Sequence, residues 1–188
     1  MKIIESFLLL ASNDSSFRLS LVPALAGTLI VLSLVAVYYW KTRHNWQPRG
    51  RRNWFYRAVY GAFLAAIIVL SVTSFGSILR FGAMQHYALL GHLTAAGAFV
   101  FLLLPISCIY LPRSLRIGHT WWLESCSAWV LIISSLATAL TMMIGMLPAM
   151  NTNELLQLVE VHRYLGLTAA VSAVVHVFSL GIQRIGFG

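Results

Sequence analysis

The sequence predicts an all-α integral membrane protein with five transmembrane helices, the last four forming one bundle. Three observations carry that reading. The chain has 188 residues, of which 59% are hydrophobic and only 10% charged, and its mean hydropathy is +0.80. That is the composition of a membrane-embedded chain. Five apolar runs, at 21–40, 57–79, 86–110, 121–147 and 155–182, are each long enough to cross lipid. A hydrocarbon core of about 30 Å takes about 20 helical residues. The net charge of +8 gathers in loops on one side, which is topology signalling and not a nucleic-acid footprint.

Each element has its own warrant. The N-terminal MKIIESFLLLASNDSSF has too short an apolar core, and acidic residues too close to it, for a signal peptide; it reads as a short exposed or interfacial segment. The run 21–40 contains no His, Asp, Glu, Lys or Arg. The connection that follows, 41–56, is basic and holds Pro48 and Gly50, and it is the one internal boundary. It divides an N-terminal segment and added helix (1–45) from a four-helix unit (46–188). That unit carries His86, His92, His119, His162 and His176, leaving only His44 in the loop. In lipid each backbone must satisfy its own polar groups, so every run is helical. Cys108 and Cys126 are the two cysteines and no Cys-x-x-Cys-His is present, so neither covalent haem attachment nor a disulfide framework is supported.

Orientation follows from the cations. Lys41, Arg43, Arg49, Arg51, Arg52, Arg57, Arg113, Arg116 and Arg184 share one side. Lys2, Arg18, Arg80 and Arg163 share the other, diluted by Glu5, Asp14, Glu154 and Glu160. The positive-inside rule makes the first side cytoplasmic, with the N-terminus outside and the C-terminus inside a bacterial-type inner membrane. Trp40, Trp46, Trp54, Trp121 and Trp122 form an interface belt on the cytoplasmic side.

The functional signal lies in the fifth run, HRYLGLTAAVSAVVH from His162 to His176. Along a helix the two histidines are about 21 Å apart in rise and about 40° in azimuth, so both point off one face at two depths. Gly166, Ala169 and Ala173 lie between them on that face and leave room for something flat, or for another helix. An ionisable residue inside a membrane is a functional candidate by default. Two histidines bracketing small residues suggest a helix built to hold two haems; the bland alternative is two polar side chains satisfied within a bundle. Depth selects partners. His92 matches His162 better than His86 does, and Gly91, Ala95 and Ala96 leave room beside it, so the outer pair is His92 with His162 and His86 is the alternative. His86 and His92 differ by about 600° in azimuth and cannot face the same partner. For His176 the inner candidates are Tyr60, His119 and His44.

On these residues the chain resembles the four-helix cytochrome b subunits of membrane-bound formate dehydrogenases and nickel–iron hydrogenases. His162, Gly166 and His176 are similar to that family's last-helix pattern, in which each histidine ligates a different haem. His92, with small residues after it, is similar to the family's second helix. The run YRAVYGAFLAAIIVLSVTS resembles its first helix, where an Arg, two residues, a His and an aromatic are usual. Arg57, Ala58 and Val59 fit, but Tyr60 and Gly61 stand at the histidine and aromatic positions. The resemblance covers about residues 50–185, and helix 21–40 has no counterpart in it.

The resemblance implies a haem b subunit of a larger complex that passes electrons between a peripheral redox partner and membrane quinone, and not an enzyme alone. It implies metal ligands at His92, His162 and His176, with Gly166 beside a haem, and Arg163 either at the outer interface or on haem propionates. The departure at Tyr60 leaves the second, inner haem open: lost, held by His176 alone or with an unusual partner, or ligated from a loop. Glu124 is the one carboxylate clearly within an apolar run, near the inner end of the fourth helix; it either accepts a proton for quinone or sits at headgroup level, paired with Arg113 or Arg116. Met142, Met143 and Met146 read as core filler. Two competing readings are a structural anchor that keeps the cytochrome b-like fold with some or all haem lost, and a pigment-binding subunit using single histidines.

Overall fold

The computed structural model describes residues 17, 19–34, 36, 37, 54–82, 84, 86–114, 122–148 and 150–185. The N-terminal segment before Phe17, the basic loop with His44, and His119 lie outside them, as do the side chains of His86, Arg113, Trp122 and Arg184. Five helices and no strands are present among the described residues: α1 (Leu19–Leu34), α2 (Trp54–Phe81), α3 (His86–Ser114), α4 (Trp122–Gly145) and α5 (Thr152–Ile185). The last four are each long and apolar enough to cross a membrane, as the apolar runs predict; α2 and α5 extend past their runs at both ends and α3 at its C-terminal end, whereas α4 falls inside its run. The chain is a multi-pass membrane protein by this measure. At 1.5 Å per residue α1 is about 24 Å long as described; residues 38–40 of its expected span lie outside the description.

Helices α2 and α3 form one antiparallel hairpin, and α4 and α5 another. The hairpins pack side by side, α3 on α4 and α2 on α5, so α3 and α5 face each other across the bundle diagonal. Both hairpin turns lie at one end, here the Gly82 end; the other is the Trp54 end. Gly82 adopts φ 81°, and its N–H bonds the Ile78 carbonyl at 3.1 Å, a left-handed cap that closes α2 at little cost without a Cβ. Helix α5 opens with a reciprocal box: Glu154 N–H donates to Asn151 Oδ1 (2.9 Å) and Asn151 N–H to Glu154 Oε2 (3.0 Å). Glu154 is thus a helix cap as well as a surface charge.

Two apolar clusters hold the helices. Phe63, Ala66, Ile67, Phe99, Leu103, Ile106, Leu131 and Ala173 form the central one, with Phe63 and Phe99 stacked at 5.3 Å and 15°. Toward the Gly82 end, Phe17 and Leu21 pack with Ile78 and Leu167, fixing the start of α1 in the groove between α2 and α5. Phe17 meets the Tyr164 ring edge-on at 5.3 Å, and the Arg163 guanidinium lies 5.9 Å from the Phe17 ring centre. Beyond that anchor α1 exposes Leu25, Leu29, Ile30, Val31 and Leu34. Many hydroxyls in the spans bond back to their own helices, as Thr28 does to Ala24 O and Thr94 to Leu90 O. Lipid offers them no other partner.

One expectation fails. Met143 and Met146 are 63% and 73% exposed, so they point out of the bundle and do not fill its core. Their positions fall on the side of α4 away from Thr141, which faces α5.

Candidate functional site

Three histidines lie within the bundle, and each has Nδ1 against a hydroxyl of the helix beside it. His92 on α3 meets Thr73 Oγ1 on α2 at 3.1 Å. His162 on α5 meets Thr141 Oγ1 on α4 at 2.9 Å, with the Thr138 carbonyl 3.2 Å from the same nitrogen. His176 on α5 meets Ser127 Oγ on α4 at 3.1 Å. The local reason is antiparallel packing in one register. Ser127 and Thr141 are fourteen residues apart on α4, as His176 and His162 are on α5, so both imidazoles of α5 find a hydroxyl opposite. Gly145 continues this face: a Cβ there would come within 3.3 Å of the Leu158 side-chain tip, so glycine lets α4 and α5 approach without moving that side chain.

Toward the Gly82 end, His92 and His162 come from the two diagonal helices. Their Nδ1 atoms are held by α2 and α4, and no described residue hydrogen-bonds Nε2 of either ring. A Cβ at Gly166, one turn along α5 from His162, would meet no atom within 4 Å. A Cβ at Gly91, beside His92, would lie 3.8 Å from the Thr73 methyl. This donor set, two neutral-type imidazoles with Nδ1 engaged and space beside one of them, fits bis-histidine haem ligation, in which Nε2 binds iron and Nδ1 is oriented by a neighbour.

Near the Trp54 end, the surroundings of His176 are different. It is 3% exposed, and the Tyr60 ring lies edge-on to it at 6.0 Å between centroids and 74°, a direct aromatic contact. Ala173, Phe63, Ile106 and Leu131 of the central cluster fill the neighbouring space, with Val59 and Tyr60 against them. Ala169 and Ala173 are themselves buried, so of the small residues between the two histidines only Gly166 borders open space. Counting fourteen residues from Thr73 and His92 toward this end reaches Val59 and Ile106, where the second hairpin has Ser127 and His176. The first hairpin therefore offers no imidazole at this depth. These residues do not fit a second planar macrocycle.

The remaining candidates fall as follows. His86 is the first residue of α3, six positions from His92. Arg163 sits over Phe17, tying α5 to the start of α1. Glu124 lies in the first turn of α4, where its carbonyl accepts the Ser127 hydroxyl at 3.1 Å. Thr73, Thr141 and Ser127 are the site residues that the sequence reading missed. The matched fourteen-residue spacings on α4 and α5 were the available signal. No group of three or more His, Cys, Asp or Glu that could hold a metal ion occurs among the described residues; an axial haem pair needs only two. No known protein family, curated protein or solved structure matches the chain.

Proposed function

We propose that the chain is a membrane electron-transfer subunit that holds one b-type haem between His92 and His162. It passes electrons between a peripheral redox partner and membrane quinone. The observation carrying this reading is the outer histidine pair on diagonal helices, each ring fixed through Nδ1 by its neighbouring helix. When bound, the haem supplies one-electron chemistry. His92 and His162 hold it on two sides, Gly166 gives it room, and the Phe63–Phe99 cluster keeps water from the bundle interior. With both axial positions filled by imidazole, the site suits electron transfer over oxygen chemistry. The short turns at 82–85 and 146–151 leave no catalytic domain in the four-helix unit, so the electron donor or acceptor is another subunit. The loop charges put the Trp54 end in the cytoplasm and the N-terminus outside a bacterial-type inner membrane. Glu124 then lies at the cytoplasmic end of α4, at headgroup level.

A second reading, a structural anchor with this fold and no haem, is favoured by the packing of Tyr60 on His176. A reduced-minus-oxidised spectrum with pyridine-haem quantification on the purified chain separates the two. The electron-transfer reading expects one low-spin b-type haem per chain, lost in His92→Ala. A haem-free chain supports the anchor. A spectrum that survives His92→Ala but not His86→Ala would reassign the pair.

A further inference from the structure

The residues around His92 and His162 bear on which nitrogen each ring offers. His162 Nδ1 is 2.9 Å from Thr141 Oγ1 and 3.2 Å from the Thr138 carbonyl. A carbonyl oxygen only accepts, so Nδ1 carries the hydrogen. The Thr141 hydroxyl has one proton, and that proton goes to the same carbonyl at 2.7 Å; the hydroxyl therefore also accepts from the ring. At His92 the pattern recurs on the other hairpin. Thr73 Oγ1 donates to the Val69 carbonyl at 2.7 Å and so accepts from His92 Nδ1 at 3.1 Å. Thr73 Oγ1 also lies 3.2 Å from the Leu70 carbonyl, three residues before it, as Thr141 Oγ1 lies 2.7 Å from that of Thr138, three before Thr141. Two hairpins of unrelated sequence thus use the same clip: a threonine bonded back to its own helix, with a carbonyl one turn earlier.

We propose that Thr73 and Thr141 are positioning residues, an equivalent pair of clips that hold His92 and His162 as Nδ1–H tautomers. Both rings then present an Nε2 lone pair to a single acceptor. The identity of that acceptor as haem iron rests on the function proposed above; the tautomers do not. A free neutral imidazole favours the other tautomer, with hydrogen on Nε2, so the clips work against the intrinsic preference. Both rings are part-buried within apolar spans, where a lone pair without a donor or a metal is unfavourable, so two such rings would suit a bound electrophile. A hydrogen bond from Nδ1–H makes the ligand more basic, which favours ferric over ferrous iron and lowers the haem potential.

The test uses the full chain in detergent with 15N-labelled histidine. The expected result is neutral His92 and His162 with hydrogen on Nδ1. In the haem-free chain Thr73→Val, which keeps shape and loses the hydroxyl, should move the His92 ring toward Nε2–H, and Thr73→Ser should restore it; Thr141→Val should move the His162 ring less, because the Thr138 carbonyl still accepts from Nδ1. Haem potential should rise in the Val variants and return in the Ser variants. A tenfold change in the oxidised-to-reduced ratio corresponds to about 59 mV for one electron. Nε2–H rings in the haem-free wild type, or an unchanged His92 tautomer in haem-free Thr73→Val, would overturn the proposal. Should a Val variant fail to fold, the wild-type tautomers still decide it. A hydroxyl-dependent tautomer in a chain that takes up no haem would uphold the clips and sink the haem reading. A potential unmoved by either Val variant would show that the clipped rings do not face iron.

Discussion

His162 and His176 sit on the same helix, on nearly the same face, and each is bonded through Nδ1 to a hydroxyl of α4. From α4 and α5 alone the two sites are equivalents. The opposite hairpin makes them differ. At the His162 level it brings His92 and Thr73; at the His176 level it brings Tyr60, Val59 and Ile106, which close the space with apolar and aromatic surface. A histidine on one helix therefore does not define a two-ligand site. The diagonal helix decides whether that histidine becomes half of a pair or part of the core.

The largest effect should come from breaking the pair. His162→Ala should remove all bound haem, read as pyridine haemochrome per chain, while His176→Ala should leave the value near one. A wild-type value near two that falls to one in His176→Ala would make the two sites alike after all. The next largest effect tests the core that separates them. Phe63→Ala removes a fully buried ring stacked on Phe99 and should cost about 3–5 kcal/mol in reversible unfolding from mixed micelles. A loss under about 1 kcal/mol would mean that the cluster does not close the Trp54 half. The assignment of one site to the outer side can be checked by labelling, with Cys108 and Cys126 first replaced by Ser. Gly50→Cys should react only from the cytoplasm and Thr152→Cys only from outside; the reverse pattern inverts the two ends. The smallest effect concerns the Gly82 end alone. Asn151→Ala breaks the cap of α5 and should cost about 1 kcal/mol, with haem content unchanged.

Much of this architecture could be read from the residues. The apolar runs located the four long helices because lipid forces any span to be helical, and depth counting brought His92 and His162 to the same end. The hydroxyl clips were not foreseen, since Ser and Thr are common in spans and mark nothing until a histidine stands opposite. Phe17 fell in a stretch read as interfacial, yet it is 1% exposed, because its ring fits between Phe75, Tyr164 and Arg163. Such a fit depends on three elements meeting and has no sequence period. Asn151 and Glu154 were legible as an Asn-x-x-Glu box, but only the charge of Glu154 was weighed. The outward methionines show the limit of composition: in lipid, apolar residues suit the periphery as well as the core.

Lipid also makes apolar side chains poor at fixing how far one helix slides past another, since a leucine against a tail is nearly as well off as a leucine against a neighbour. The matched spacing on α4 and α5 supplies what grease cannot. A slip of one turn that set His162 opposite Gly145 would set His176 opposite Leu131, removing both hydroxyls at the same moment from two polar rings about 21 Å apart. In the observed alignment both are satisfied together, like a key whose two teeth seat at once.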